Sequence, residues 1–182
     1  MHIIIDGYNL IRQSGFRHYE QKSLQEGRKA LIASLVGYQK KRGHAVTVVF
    51  DGWLGGSPNE ERDREGGVEI IYSRLGEKAD EVIKRLSAKS GEEITVVTSD
   101  RDVATHATRR GHSVISSASF EDLLETARNT NPSQTSDGGF RKDERQAKDE
   151  EGDEGHGKTK KKGPSHRLSK QKRAELAAFR KL

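Results

Sequence analysis

Along the first 127 positions, short β-branched and aromatic runs alternate with stretches in which apolar residues return every three or four places. The runs are His2–Ile5, Ala45–Phe50, Val68–Tyr72, Ile94–Thr98 and Ser113–Ser116, with cores III, VTVVF, VEIIY, ITVV and VI. These cores are mostly continuous rather than alternating, as expected of strands covered on both faces. Between them, Leu24, Leu31, Leu35 and Tyr38 form a helical stripe within Gln21–Arg42, and Ala79, Val82, Ile83 and Leu86 form another within Glu77–Lys89. A shorter helix over Asp102–Arg110 ends at Gly111, and Ser119 opens a last one with Asp122 three residues on. Strands alternating with helices predict an α/β fold built on a parallel sheet. Trp53–Gly67 holds six charged residues and four glycines without periodicity, and reads as a mobile loop at the strand ends.

The periodicity stops after Ala127, which divides the chain into a body, 1–127, and a tail. From Arg128 to Arg167 the only hydrophobic residues are Phe140 and Ala147. Such a segment cannot bury enough apolar surface to offset the ~1–2 kcal/mol per residue of backbone ordering, so 128–166 is expected to be a disordered charged linker. Residues 167–182 then read as a short basic helix, with Ser165 or Ser169 as N-cap and Leu176 and Phe179 on one face.

Composition narrows the function classes. The chain has 182 residues, of which 31% are hydrophobic and 34% charged. No run approaches the roughly 18–20 apolar residues of a membrane span and no apolar leader follows Met1, so a cytoplasmic protein without membrane contact is expected. The absence of cysteine excludes disulfides, thiolate zinc sites and a cysteine nucleophile. The net charge of +5 is a sum of unlike parts. The body is −1, residues 128–154 are −3, and residues 155–182 carry 10 basic side chains against one acidic, or +9.

Three strands end in an acid: Asp6 after Ile3–Ile5, Asp51 after Val48–Phe50, and Asp100 after Val96–Ser99. Parallel strands would bring all three to the carboxyl edge of the sheet, where open α/β folds bind ligands. Asp80, three residues before Ile83, is predicted on the buried side of its helix, where it needs a counter-charge. Crowded carboxylates repel unless a cation joins them, and hard oxygen donors favour Mg²⁺ or Mn²⁺. Each acid has a plainer role as turn former or helix cap; it is the set that points to a site. Asp102 is better read as a helix-end charge, and Asn9 either stabilises a turn or orients a ligand. The histidines show no metal spacing, Ser99 has no histidine partner in sequence, and the glycines match neither phosphate-loop nor dinucleotide patterns.

Asp6-Gly7-Tyr8-Asn9, Phe50-Asp51-Gly52, Ala79-Asp80-Glu81, Val97-Thr98-Ser99-Asp100-Arg101, Ile115-Ser116-Ser117 through Phe120, and Arg167-Leu168-Ser169-Lys170 occur in an order that resembles the YacP-like NYN-domain family. The resemblance covers residues 2–127 and the end of the tail. It implies a PIN-like three-layer sandwich with five parallel strands in the order 3-2-1-4-5, and a metal-dependent endoribonuclease. Carried over, Asp6, Asp80 and Asp100 would form the metal-holding core, with Asn9 and Asp51 beside it. The family implies cytoplasmic RNA processing or mRNA decay, in some members linked to the ribosome. The linker has no counterpart in the resemblance.

In the tail, Lys160, Lys161, Lys162, Arg167, Lys170, Lys172 and Arg173 form a basic run suited to RNA or ribosome anchoring through phosphate neutralisation. The plainer reading is a solubilising tail. Arg101 is a further candidate RNA contact, and Tyr8 or Trp53 could stack an unpaired base or simply pack. The rival to an endoribonuclease using Mg²⁺ or Mn²⁺ is an RNA- or ribosome-binding adaptor with an inactive acidic site. A phosphotransfer domain ranks lower, because Ser116 and Ser117 stand where it would need a lysine.

Overall fold

A computed structural model describes residues 1–13, 15, 23–52, 57–88, 93–129, 170–179 and 181–182. The elements run β1 (His2–Asp6), α1 (Gly7–Gln13), α2 (Leu24–Arg42), β2 (Ala45–Phe50), β3 (Glu61–Glu65) and β4 (Val68–Tyr72). They continue as α3 (Ala79–Leu86), β5 (Ile94–Val97), α4 (Arg101–Arg109), β6 (Ser113–Ile115), α5 (Ser117–Asn129) and α6 (Lys170–Phe179). The sheet is mixed, six strands in the order β3-β4-β2-β1-β5-β6. Strands β4, β2, β1, β5 and β6 pair in parallel, and β3 runs antiparallel to β4 at one edge.

The continuous apolar runs are explained by helices on both faces. Ile3 and Ile5 point into a core with Leu10, Leu31, Leu35, Tyr38 and Phe120. Between them Ile4 points the other way, toward Val82, Ile83, Val103 and Ala107. A strand side-chain period of two makes both assignments unavoidable once helices cover both faces. Each fully buried isoleucine contributes roughly 1.5–3 kcal/mol of apolar burial.

Local signals set the boundaries. Ser23 caps α2 by accepting the Glu26 N–H at 3.0 Å, and Gly43 ends it in the left-handed region at φ 71°. Ser116, rather than the expected Ser119, precedes α5, and its Oγ accepts the Ser119 N–H at 3.2 Å. The expected helix over Asp102–Arg110 starts one residue earlier, at Arg101, because Asp100 caps it.

Three expectations are corrected. The five-stranded parallel sheet has a sixth, antiparallel strand, because part of the expected Trp53–Gly67 loop is β3, a strand exposed at every position. Its sequence, ERDRE, has no buried face and so no alternation; Gly66 and Gly67, both at positive φ, turn it onto β4. The charges suit an edge that must not pair further. Leu24, placed in the buried stripe of α2, is 47% exposed because it opens the helix beyond the sheet. Leu176, expected on the buried face of the tail helix, is exposed too, and Ala178 and Leu182 are buried in its stead.

The last helix belongs to the fold. It packs against β6, Glu175 accepts the Ser116 N–H at 3.1 Å and the Ser119 hydroxyl at 3.0 Å, and the Tyr38 hydroxyl donates to the Leu182 carbonyl. Lys181 pairs with Glu93. The expected body boundary at 127 is overrun by α5, which ends at Asn129, and the rest of the expected linker lies outside the described residues. Among the described residues, no helix is long and apolar enough to cross a membrane.

Candidate active site

β1 passes into α1 without an intervening loop, so Asp6 ends the strand and Asn9 lies in the first turn of the helix. The junction is tight: a Cβ on Gly7 would stand 2.4 Å from the Phe50 ring. Asp6 is only 7% exposed, and its Oδ1 accepts the Asn9 N–H at 3.0 Å. Burial pushes its carboxyl up to about 6, with the Asn9 N–H pulling against that rise, Asp80 and Asp100 adding to it, and Arg12 opposing it.

The other acids reach the same cavity from three elements. Asp100 ends the β5 loop and caps α4, its Oδ1 accepting the N–H groups of Asp102 at 2.7 Å and Val103 at 3.1 Å. Its plain role as a helix cap and its place in the cavity therefore coexist. Asp80 sits in the first turn of α3; it is partly buried and lines the cavity, while Ala79, Val82, Ile83 and Leu86 form the buried face. Burial raises its pKa, and Asp100 raises it further. Asp51 follows β2, with its Oδ1 3.5 Å from the Ser73 hydroxyl, which donates to the Glu77 carbonyl at 2.6 Å. The next residue must be glycine, since a Cβ on Gly52 would lie 2.0 Å from the Ser73 carbonyl oxygen.

Asp6, Asn9, Asp51, Asp80 and Asp100 all line one cavity of about 800 Å³ at the carboxyl edge of the parallel strands. Asn9 is the clamp of this edge. Its Oδ1 accepts the Ser99 N–H at 3.2 Å and the fully buried Ser117 hydroxyl at 2.9 Å. One side chain thereby ties α1 to the turns after β5 and β6, and fixes Asp100 relative to Asp6. The sequence offers Asn9 as a turn former or as a group that orients a ligand, and neither reading includes this long-range clamp.

The remaining candidates lie elsewhere. Arg101 is exposed at the start of α4, beside Asp100 but not lining the cavity. Lys160, Lys161, Lys162, Arg167 and Trp53 lie outside the described residues. Lys170, Lys172 and Arg173 fall on α6, where Arg173 is exposed. Asp102 pairs with Lys84 at 2.6 Å, outside the cavity, as befits a helix-end charge. Among the described residues, no group of three or more His, Cys, Asp or Glu side chains stands close enough to enclose an ion.

Sequence reasoning passed over the opposite wall of the cavity. Arg12 and Arg28 line it with Tyr8 and Tyr72, and Leu24 lies at its rim. Tyr8 meets Phe50 edge-on at 5.3 Å between centroids, and Phe50 stacks on Tyr72 at 5.7 Å. The available signals were helical offsets of four, Arg12 from Tyr8 on α1 and Arg28 from Leu24 on α2, each placing its pair on one side of the helix.

The model of the YacP-like NYN domain family matches residues 3–181. Two crystal structures of Rae1 (YacP) from Bacillus subtilis superpose on this chain. One is 28% identical with a TM-score of 0.58, covering 70% of this chain and 75% of that one. A Trp-to-Leu mutant of the same protein is 27% identical with a TM-score of 0.60, covering 70% and 76%. No curated protein matches. The ordered motifs, the shared fold and a family match over nearly the whole length agree: the chain belongs to the YacP-like NYN-domain family.

Proposed function

We propose that this protein is an endoribonuclease that uses Mg²⁺ or Mn²⁺ to hydrolyse RNA phosphodiester bonds. The observation that carries the reading is the gathering of Asp6, Asp51, Asp80 and Asp100 with Asn9 in one cavity. Membership of the NYN family supports it. The donor chemistry fits a hard divalent cation: all carboxylate oxygen, with Asp6 and Asp80 raised toward protonation by burial and by the neighbouring acids. Among the described residues the carboxylates do not stand close enough to enclose a cation by themselves, so water would have to complete its shell. Asp6, Asp80 and Asp100 would hold it, with Asp51 at the margin of the set. When bound, such a cation neutralises charge at the phosphate and acidifies water for attack at phosphorus.

The chain's own residues supply position. Asp100 is held by two backbone N–H groups and Asp6 by one, so neither carboxylate must reorganise to meet the substrate. Asn9 keeps the two at fixed separation through Ser99 and Ser117. Water attack with departure of the 3′ oxygen leaves a 5′-phosphate and a 3′-hydroxyl. The setting is cytoplasmic mRNA decay or RNA processing, with the ribosome as a partner and the basic tail, Lys158 to Lys181, as the anchor.

The test is cleavage of structured and unstructured RNA in Mg²⁺, Mn²⁺ and EDTA by the wild-type chain, Asp6→Asn and Asp100→Asn. Cutting that needs the cation and both carboxylates supports the reading; cutting that survives EDTA or both substitutions refutes it. The lack of a closed carboxylate set favours a second reading, an RNA- or ribosome-binding adaptor. Absence of cleavage in every condition, translating ribosomes included, would count against the nuclease reading and in favour of that alternative.

A further inference from the structure

The wall facing the acids is a continuous row. The Arg12 guanidinium lies 5.9 Å from the Tyr8 ring centroid, Tyr8 meets Phe50, Phe50 stacks on Tyr72, and the Arg28 guanidinium lies 5.6 Å from the Tyr72 centroid. Phe50 is fully buried and anchors the row, while both tyrosines are partly exposed to the cavity. An arginine beside an aromatic ring is held there by cation–π attraction, while its N–H fork can still meet a ligand. Such a fork matches a phosphate, and loses little side-chain freedom on binding one.

Arg28 carries the more pointed observation. Among the described residues, its buried Nε has no hydrogen-bond acceptor and its guanidinium has no carboxylate partner. A buried donor without an acceptor costs stability, and a ligand oxygen would relieve that cost. The acidic end of the same cavity repels a bare phosphate unless a cation is there. Among the described residues lining the cavity, Arg12 and Arg28 are the two cationic side chains, and they supply its anion-binding capacity.

We propose that Arg12 and Arg28, seated on Tyr8 and Tyr72, form a second phosphate subsite. It takes a phosphate next to the scissile one in an unpaired RNA strand. The inference rests on the nuclease reading for the identity of the scissile phosphate, but the subsite stands on its own chemistry. A concave site of about 800 Å³ admits a strand whose bases are splayed, and the partly exposed tyrosines offer those bases a flat apolar surface. A duplex, with its bases paired and stacked, presents only its outer backbone and cannot seat one strand in the cavity. Arg12 also acts electrostatically on Asp6, so it stands where the two ends of the site meet.

The experiment is fluorescence anisotropy of a labelled eight-nucleotide single-stranded RNA on the full-length chain in EDTA, across a salt series. The wild type, Arg28→Ala, Arg28→Lys and Arg12→Ala are compared, with the same strand annealed to its complement as a second probe. Arg28→Ala is expected to weaken binding about tenfold and to reduce the slope of log K against log salt by about 0.7, one phosphate contact on a single strand. Arg28→Lys should restore the slope but only part of the affinity, because a lysine offers a point charge and no fork. Annealed probe should bind wild type about tenfold more weakly than the single strand. Unchanged affinity and slope in Arg28→Ala, equal binding of the duplex, or no binding to the wild type would each overturn the proposal. Thermal melting of each variant confirms that it is folded. Because EDTA removes cleavage from the experiment, failure of the nuclease reading would show instead as intact RNA in the Mg²⁺ and Mn²⁺ assay.

Discussion

The two ends of the cavity solve opposite problems. At the acidic end, carboxylates from β1, the β2 turn, α3 and the α4 cap line a partly dry space, where Asp80 and Asp100 make Asp6 harder to ionise and Asp100 does the same to Asp80. At the other end, two arginines are spread over a row of rings, with one donor left unanswered. The first end is destabilised until a cation arrives, and the second until an anion does. A phosphate chain carrying a divalent cation completes both at once. The contrast extends to placement: Asp6 ends a strand, Asp100 caps a helix and Asp80 lies in a helix's first turn, whereas the arginines sit on helices beside aromatic rings.

The sharpest break between the ends should be in catalysis. Asp100→Asn and Asp6→Asn are each expected to lower RNA cleavage by about 10³-fold, measured as single-turnover rate in saturating Mn²⁺. Arg28→Ala should act chiefly on binding, visible in the half-saturating RNA concentration. Equal losses of rate from both ends would erase the distinction.

Stability should move the other way. The Asp6 carboxyl titrates near 6 in the folded chain against 3.8 in the unfolded one, so the folded state binds the extra proton between those values. Its contribution is therefore greatest below pH about 4, falls as pH rises to about 6, and amounts to roughly 3 kcal/mol lost above that. Denaturant unfolding from pH 4 to 7, without divalent cation, should show that decline as a difference between wild type and Asp6→Asn. At pH 7 the asparagine variant should be the more stable by about 2 kcal/mol, while losing activity. A less stable Asp6→Asn at pH 7 would mean that the buried charge is already compensated.

Smaller effects follow at the clamp and at the far wall. Asn9→Ala removes the acceptor of the Ser99 N–H and of the buried Ser117 hydroxyl, and should cost about 2 kcal/mol in urea unfolding. Arg28→Ala should change stability by less than about 1 kcal/mol, since a lost cation–π contact is offset by removal of an unsatisfied donor. A large loss there would make Arg28 a structural strut rather than a ligand group.

Legibility in the sequence followed the same divide. The acidic end could be read because strand periodicity locates the carboxyl edge and because Asp6 ends its strand, Asp51 directly follows one and Asp100 lies three residues beyond another. Helices on both faces explain why those strands lacked alternation. The edge strand Glu61–Glu65 escaped because a strand exposed on every side leaves no hydrophobic trace, and only the Gly66–Gly67 turn marks it. Arg12 and Arg28 escaped because charge on a helix is ordinarily solvated; what distinguishes them is packing on tyrosines, Arg12 on Tyr8 one turn back in the same helix and Arg28 on Tyr72 from a distant part of the chain. The clamp formed by Asn9, Ser99 and Ser117 is likewise a product of topology, joining residues as far as 108 positions apart. The tail helix looked independent because its charge dominates its composition. Its attachment is carried by Glu175, Ala178 and Leu182, three residues that a charge count passes over.

The central claim is that the acids of this one cavity hold the cation on which RNA cleavage depends. It is met most directly by titrating Mn²⁺ into wild type and Asp6→Asn, each with the same single-stranded RNA, and following the rate of cleavage. The account predicts a saturable rise for the wild type and a rate for Asp6→Asn that stays near the EDTA baseline. Wild-type cleavage in EDTA, or an Asp6→Asn titration that overlays the wild type, would contradict it.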